Sequence, residues 1–261
     1  MYLLDGACLL GFEFMPKQSS THSPLYRDDL AAIHVDGYGF HWTGAAASVL
    51  EWFTQFGITG GKVVDLGCGG GQWLAHLEKH GYETCGIDVS ESMIRIARRN
   101  APNSELRCGS FADIAIPKCD AVTSLGEPLN YLNSRRAIQR TLRKVFAALR
   151  PGGVFIFDVR HPAKGAVAPQ APHRITEDWC CLAHIEEDFR KNLLTRHITT
   201  FRRQKDGKYH RDTEVHRLKV FSRSDVTAWL RTAGFRVRTK TAYGTYQLGK
   251  RQSIFICRKP E

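Results

Sequence analysis

The chain has 261 residues, of which 43% are hydrophobic and 24% are charged. Both fractions are close to globular averages, which excludes a disordered or fibrous chain, and the length predicts one large domain or one domain with an insertion. The net charge of +11 is unevenly placed. Residues 1–160 hold 16 Lys+Arg and 16 Asp+Glu, whereas residues 161–261 hold 21 and 10. The whole excess lies in the second part, so the two parts are expected to have different roles.

Targeting and metal signals are missing from the sequence. No apolar run approaches the roughly 18 residues of a membrane helix. The apolar N-terminus contains Asp5 and Glu13 and lacks a basic segment, which argues against a signal peptide. The eight cysteines form no CxxC pair and no His/Cys metal spacing. These patterns predict reduced thiols, a cytoplasmic protein and no metal site.

The predicted elements begin with a loop and short helix over residues 16–41, followed by a helix over 44–56 that Thr43 caps. Strands and helices then alternate in chain order: strand 62–66, helix 71–81, strand 82–89, helix 90–100 with Ser90 as its cap, strands 104–108 and 119–125, helix 134–149 and strand 154–159. Such βαβ units predict a mostly parallel, doubly wound sheet. Its ligand site is expected at the carboxyl ends of the strands.

The pattern changes after His161 and Pro162. Residues 163–176 indicate a loop. Three strands at 179–187, 193–203 and 208–220, with an Asp206-Gly207 hairpin turn, then predict an antiparallel meander inserted into the α/β pattern. The chain is predicted to close with a helix over 222–234 and strands over 236–243 and 253–259.

The most informative segment is the glycine cluster that follows the first predicted strand. The dinucleotide pattern G-x-G-x-x-G fails here, because its third glycine would fall on Gln72 or Leu74. Asp65 precedes the cluster, and a carboxylate there repels a pyrophosphate but suits a cationic ligand. Asp88, 23 residues later, ends the second strand and can bind both hydroxyls of a ribose. A cationic, phosphate-free ligand that carries a ribose describes S-adenosylmethionine.

With these residues the sequence resembles the class I S-adenosylmethionine-dependent methyltransferases, small-molecule branch. The matching blocks keep the family's order over about residues 60–158: VVDLGCGGGQ, GIDVSESMI, GSFADI, CDAVTSLGEPLNYL and LRPGGVFIFDV. The resemblance implies an α/β fold with a seven-stranded, Rossmann-like sheet and an inserted antiparallel meander. It implies four divisions: a tail and lid segment (1–42), a cofactor-binding core (43–160), a substrate-side insertion (161–220), and a helix with two strands that complete the sheet (221–261).

The resemblance also implies which residues surround S-adenosylmethionine. The methionine end is expected among Asp65, Gly67 and Gly69, with the backbone of Leu125 and the lid residue Tyr26. The remaining expected contacts share the glycine loop or the ribose and adenine end: Cys68, Gly71, Asp88, Val89, Met93, Ser110 and Phe111. Ser110 departs from the acid that many members carry there, and Phe111 has the alternative of a core aromatic.

Methyl transfer from a sulfonium is a one-step displacement in which the nucleophile lies in line with the S–CH₃ bond. A general base helps an amine or hydroxyl nucleophile but is not obligatory. The candidate catalytic residues are Glu127 after the fourth strand, His161 after the fifth, and His34 in the lid. Each has a structural alternative, namely loop structure, the start of a loop, and an ordinary histidine. His216 is interpreted as an ordinary sheet residue.

The basic C-terminal part raises the question of nucleic acid. The meander has few aromatic residues for base stacking, and the Asp/Asn-Pro-Pro-aromatic motif of base-amine methyltransferases is absent after the fourth strand. We therefore predict methyl transfer to an O or N atom of a small molecule, with the charge favouring an anionic acceptor. An RNA or protein methyltransferase and a non-catalytic S-adenosylmethionine-binding protein are the alternatives. The sequence leaves the oligomeric state open.

Overall fold

The computed structural model describes residues 25–261, so residues 1–24 of the predicted tail lie outside the described part. The helices are α1 (Asp28–Gly37), α2 (Phe40–Gln55), α3 (Gln72–Lys79), α4 (Glu91–Asn100), a 3₁₀ turn (Pro128–Tyr131), α5 (Arg135–Ala148) and α6 (Arg223–Thr232). The strands are β1 (Lys62–Leu66), β2 (Glu83–Asp88), β3 (Glu105–Cys108), β4 (Cys119–Ser124), β5 (Leu149–Arg160), β6 (His173–Ile175), β7 (Trp179–Asp188), β8 (Leu193–Arg203), β9 (Tyr209–Lys219), β10 (Arg236–Lys240), β11 (Ala242–Tyr243), β12 (Tyr246–Gln247) and β13 (Gln252–Arg258).

Seven strands form one sheet in the order β10-β13-β5-β4-β1-β2-β3. All neighbours are parallel except β13, which is antiparallel to β5 and β10. Both faces of the sheet are covered: Val63 packs with Phe53 of α2 on one side, and Val64 shares a cluster with Leu142 of α5 on the other. This burial on both faces explains the continuous apolar strands. The predicted α/β fold is confirmed.

Two predicted helix starts have different outcomes. Ser90 caps α4 as predicted, because its Oγ accepts a hydrogen bond from the Met93 amide at 3.1 Å. The cap at Thr43 is wrong, since α2 begins at Phe40 and the Thr43 hydroxyl donates to the Gly39 carbonyl. The helix therefore begins three residues before Thr43. Trp42, in this first turn, packs against α3, with its ring centroid 5.6 Å from that of His76.

The insertion is an antiparallel sheet in the order β6-β7-β8-β9. Its edge strand β6 lies inside the predicted loop 163–176; its three residues are all exposed, which leaves no alternating pattern to read. The predicted strand 236–243 also divides, because β10 pairs with β13 whereas β11 pairs with β12. No helix within residues 25–261 is long and apolar enough to cross a membrane.

Asn130 ties the insertion to the carboxyl edge of the main sheet. Its Nδ2 donates to the Arg160 carbonyl at the end of β5 (3.1 Å) and to the Lys219 carbonyl at the end of β9 (2.8 Å). Its side chain is fully buried. The insertion therefore lies at the edge where a parallel sheet binds its ligands.

Candidate functional site

Asp88 joins the glycine loop to the end of β2. Its Oδ2 accepts from the Gly69 amide and its Oδ1 accepts from the Ser90 amide, both at 2.9 Å. The Gly67 amide donates to the Ile87 carbonyl at 2.8 Å. Burial raises the pKa of the Asp88 carboxyl, and the backbone donors oppose this. Asp88 thus shapes the loop and keeps its carboxylate at the ligand-binding edge.

Asp65 is a buried carboxyl at the end of β1. Its Oδ1 accepts from the Thr123 hydroxyl at 2.7 Å, and Thr123 in turn accepts from the Trp73 indole at 3.1 Å. Burial raises the pKa of Asp65 to about 7, against the effect of the Thr123 hydrogen bond. The residue is therefore poised between its neutral and charged forms near neutral pH. A cation placed beside it favours the charged form.

The space next to Asp88 has the chemistry that an adenosine group requires. Val89 is 53% exposed, although it directly follows a buried strand. A side chain on Gly69 would meet no atom closer than the Met93 sulfur, at 4.0 Å. An exposed apolar side chain next to a carboxylate offers a surface for a base beside acceptors for ribose hydroxyls. These residues fit S-adenosylmethionine.

Three other residues predicted to contact the cofactor pack against neighbouring residues of the protein itself. Cys68 packs with Leu74 and Ile94, and Phe111 is buried in the main core. Gly71 has a left-handed backbone (φ +75°), and a Cβ there would lie 3.0 Å from the backbone of Ala97. Their packing explains these residues without a ligand, so their cofactor contacts stay predictions.

Ser110, Leu125 and Met93 are the remaining positions predicted to contact the cofactor. The Ser110 hydroxyl accepts from the Ala112 amide at 3.2 Å, which shapes the turn after β3. Leu125 is half-buried and packs against the apolar cluster of α2 and α3. Met93 is buried beneath the loop and only 2% exposed. Their predicted roles toward the cofactor also stay predictions.

Gly67 and Gly69 allow a matched test. Both have left-handed φ values, so alanine strains the backbone by about 1–2 kcal/mol at either position. A Cβ on Gly67 also meets the Pro128 side chain at 2.5 Å, whereas one on Gly69 enters open space. We expect Gly67→Ala to cause the larger loss of thermal stability and Gly69→Ala the larger loss of S-adenosylmethionine affinity relative to its stability loss. Melting curves and calorimetry check this, and the opposite order would contradict the proposed position of the cofactor.

Tyr26 connects the cofactor edge to the insertion. Its carbonyl accepts from the Ser90 hydroxyl at 2.7 Å, and its amide donates to Glu214 Oε2 at 2.7 Å. Its ring meets the rings of His34 and His216 edge-on, at centroid distances of 5.1 and 4.8 Å. The predicted lid residue therefore lies between Ser90 and β9.

Helix α1, which follows Tyr26, makes several polar contacts with the insertion. The polar contacts between them are Arg27–Asp212, Asp29–Arg202, Asp29–His210, Asp36–Trp179 and Arg174 to the Gly37 carbonyl. On the other side Asp28 accepts from Ser92 at 2.5 Å and pairs with Arg95 on the exposed surface of α4. Surface ion pairs contribute only about 0–1 kcal/mol. Helix α1 thus contacts the insertion on one side and Gln72 and α4 of the sheet-forming part on the other.

Glu127 is the centre of a buried cluster with Arg160, Arg196 and Gln252, here named the Glu127 cluster. Its Oε1 accepts from Arg160 Nε at 3.1 Å and from the Gln252 amide, and its Oε2 accepts from Arg196 Nη2 at 3.0 Å. Burial alone would raise the pKa of Glu127, but the two arginine charges and the hydrogen bonds lower it below its usual value. Both oxygens are occupied, which favours holding the arginines over accepting a proton.

The predicted histidines differ in their surroundings. Burial, helped by the charges of neighbouring His41, His216 and Arg196, lowers the pKa of His34 to about 4. His34 is therefore neutral at physiological pH. His161 is buried, its Nδ1 lies 2.8 Å from the Phe221 carbonyl, and its Nε2 has no hydrogen-bond partner among residues 25–261. His34 lies beside Tyr26, whereas His161 packs toward the core; neither contact tests a catalytic role.

Sequence reasoning missed three residues of this region: Tyr131, Arg196 and Glu214. Arg196 lies between inward-facing Leu194 and Ile198 on β8. Glu214 shares the inner face of β9 with His216 and Leu218. A charged residue at an apolar position of a period-two strand was the available signal, because such a group must find a buried partner.

Comparisons with known proteins agree with this geometry. A family model described as a methyltransferase domain matches residues 63–153. A protein of Geobacillus sp. (strain WCH70), whose name assigns it to the methyltransferases, is 30% identical over 204 residues, which are 72% of this chain and 79% of the relative. The dTDP-3-amino-3,4,6-trideoxy-alpha-D-glucopyranose N,N-dimethyltransferase of Streptomyces venezuelae is 25% identical over 204 residues, covering 77% of this chain and 86% of that protein.

A solved structure supports the fold. An amino pentose methyltransferase from Micromonospora echinaspora, solved with S-adenosylmethionine bound, superposes with a TM-score of 0.72 at 18% identity, over 93% of this chain and 100% of the other. Within residues 25–261 no three His, Cys, Asp or Glu side chains are grouped to hold a metal ion. S-adenosylmethionine is the cofactor of this chain. It belongs to the class I S-adenosylmethionine-dependent methyltransferases.

Proposed function

We propose that the chain transfers the methyl group of S-adenosylmethionine to an O or N atom of a small-molecule acceptor. The observation that carries the proposal is the position of Tyr26, which is bonded both to Ser90 beside Asp88 and to Glu214 of the insertion. Polar side chains from the lid, the insertion and the loop after β4 meet there. This arrangement offers a cofactor site and an acceptor site side by side, as an in-line displacement requires.

The chain's own residues supply binding, orientation and exclusion of water. Bound S-adenosylmethionine supplies an electrophilic methyl group whose leaving group is a neutral thioether. We assign Asp88 to the ribose hydroxyls, Val89 to the adenine face and Asp65 to the methionine end. The lid within 1–42 and the insertion 161–220 are proposed to cover the acceptor, and 43–160 with 221–261 to form the cofactor-binding sheet.

Charge supports an anionic acceptor. The Glu127 cluster holds two half-buried arginines against one buried carboxylate, which leaves one positive charge within the cluster. Two relatives are named for N,N-dimethylation of dTDP-linked amino sugars. A nucleotide-linked amino sugar combines an amine nucleophile with an anionic carrier, so it is the first acceptor to test.

Radiolabelled methyl transfer tests the function. The purified chain is incubated with labelled S-adenosylmethionine and either a desalted small-molecule extract or a dTDP-amino sugar, and label is followed by chromatography. We expect label in a small molecule, with a rate that falls as salt is added because the acceptor is anionic. Label only in RNA or protein, or cofactor binding without any transfer, would overturn the proposal.

Asp65 gives a prediction that needs no acceptor. Its pKa of about 7 leaves it partly protonated near neutral pH, and a sulfonium beside it favours the charged form. Binding of S-adenosylmethionine is therefore expected to release protons at neutral pH. Calorimetry in two buffers of different ionisation enthalpy measures this release. The Asp65→Asn variant is the control: its binding heat should depend less on the buffer, and equal dependence would contradict the assignment.

A further inference from the structure

Four side chains form a continuous hydrogen-bonded chain from the lid into the insertion. The Tyr26 and Tyr131 hydroxyl oxygens are 3.2 Å apart, Tyr131 Oη lies 3.0 Å from His216 Nδ1, and His216 Nε2 lies 2.9 Å from Glu214 Oε2. The His216 side chain is fully buried, whereas both tyrosines are partly exposed. The four side chains therefore run from two partly exposed residues, the tyrosines, to two buried ones, His216 and Glu214.

Glu214 sets the direction of these hydrogen bonds. Its carboxylate also accepts from the amides of Tyr26 and Arg27, at 2.7 and 2.8 Å, and an ionised carboxylate can only accept. A neutral His216 must therefore carry its proton on Nε2, and its Nδ1 accepts from Tyr131. Tyr131 has one proton, which it gives to His216, so the Tyr26 hydroxyl donates to Tyr131. The Tyr26 oxygen keeps lone pairs free to accept from a ligand.

We propose that this chain is a proton relay in which His216 receives, through Tyr26 and Tyr131, the proton that the methyl acceptor loses. The proposal rests on the proposed function and names the route of its proton. The lone pair of the acceptor's N or O atom forms the bond to the methyl carbon, and the electron pair of the broken C–S bond stays on sulfur. The acceptor proton moves to Tyr26 Oη, the Tyr26 proton to Tyr131 Oη, and the Tyr131 proton to His216 Nδ1. The resulting imidazolium faces the Glu214 carboxylate.

The surroundings favour transfer to the histidine over storage on a tyrosine. Burial raises the pKa of Tyr26 and of Tyr131, so neither holds a negative charge as a resting base. Glu214 is 5% exposed and accepts from the Tyr26 and Arg27 amides, which fixes its carboxylate beside the imidazole. Tyr26 is thus the catalytic residue, His216 receives the relayed proton, and Glu214 positions His216.

The charged and titratable groups around His216 come from several elements: Glu214 on β9, Tyr131 on the 3₁₀ turn, Tyr26 before α1, His34 on α1 and Arg196, its register partner on β8. Glu214 stabilises an imidazolium and Arg196 opposes it. His34 is neutral at the pH values of interest.

The direction of the relay is tested without an acceptor. Histidine-labelled full-length chain with bound S-adenosylhomocysteine is examined by long-range proton–nitrogen spectra at mildly alkaline pH, and the His216 signal is identified by its loss in His216→Gln. We expect the tautomer with its proton on Nε2, and a shift of the Nδ1 signal in Tyr131→Phe. A proton on Nδ1 would overturn the proposal whatever the acceptor is.

The proton transfer itself is tested by labelled methyl transfer to the small-molecule extract across a pH series. We expect His216→Gln, which keeps a donor to Glu214, to lower kcat by about 100-fold, to lose the acid limb of the kcat profile and to bind S-adenosylhomocysteine as before. His184→Gln is the matched control, since His184 is exposed on β7 and pairs with the exposed Glu186; its profile should be unchanged.

The outcomes separate the two proposals. Full-rate transfer with an unchanged pH profile in His216→Gln overturns the relay and leaves the proposed function standing. Absence of label in any small molecule with the unaltered chain overturns the proposed function, and the relay with it.

Discussion

Replacing Glu127 with alanine is expected to lower the free energy of unfolding by about 3–5 kcal/mol, the cost of removing one partner from a buried ion pair. Two arginines would lose their carboxylate, and one of them, Arg196, is only 23% exposed. Chemical denaturation followed by circular dichroism measures the change. The result also distinguishes a structural role of Glu127, holding the arginines, from a role as general base, because removing a general base has little effect on stability.

Two variants make that experiment decisive. Asp113→Ala breaks an exposed ion pair with Arg140 and should change stability by less than about 1 kcal/mol. Glu127→Gln keeps the shape of the side chain but removes its charge. Its free energy of unfolding should therefore fall between those of the unaltered chain and Glu127→Ala. If Glu127→Gln abolished transfer while leaving both stability and acceptor affinity intact, the proton-accepting role predicted from the sequence would be favoured instead.

Asp88→Ala is expected to weaken S-adenosylmethionine binding by about 1–3 kcal/mol, which is roughly 5- to 150-fold in Kd. The loss has two physical sources: the proposed ribose hydrogen bonds disappear, and the Gly69 amide loses its acceptor, so the loop is less well held. Calorimetry at a temperature well below the melting point measures the affinity of folded protein.

The control for Asp88 is Glu83→Ala, which removes an exposed carboxylate at the first residue of β2, the opposite end of the strand from Asp88, and should leave Kd unchanged. A second titration uses adenosine, which carries the ribose but no sulfonium. Asp88→Ala should weaken adenosine binding by a similar factor. An unchanged Kd for both ligands would refute the ribose assignment.

The parallel sheet was predictable from the sequence because its physical causes are local. Val63, Val64 and Leu66 of β1 are apolar because the strand is buried on both faces, and the glycines after it need left-handed backbone that few other residues adopt. Ser90 indicates the start of α4, because its side chain is a typical helix cap. The cofactor edge follows, because parallel strands bring their carboxyl ends together.

The acceptor side was less predictable because its contacts join residues that are distant in sequence. Glu127 looked like an available acid, yet its partner Arg196 lies 69 residues further along the chain. His216 looked like an ordinary sheet residue, and its relation to Tyr131 depends on how β9 passes the 3₁₀ turn. Neither periodicity nor local motifs specify which buried charges will meet.

The attachment of α1 to the insertion has a consequence for exchanging parts between relatives. Arg27 pairs with Asp212 and Asp36 with Trp179, so residues 25–37 and 173–219 contact each other although more than a hundred positions separate them. In a chimera that receives only the insertion from a relative, the insertion would carry the partners of α1 side chains that the host chain does not have. Transplanting acceptor preference therefore requires moving both segments together.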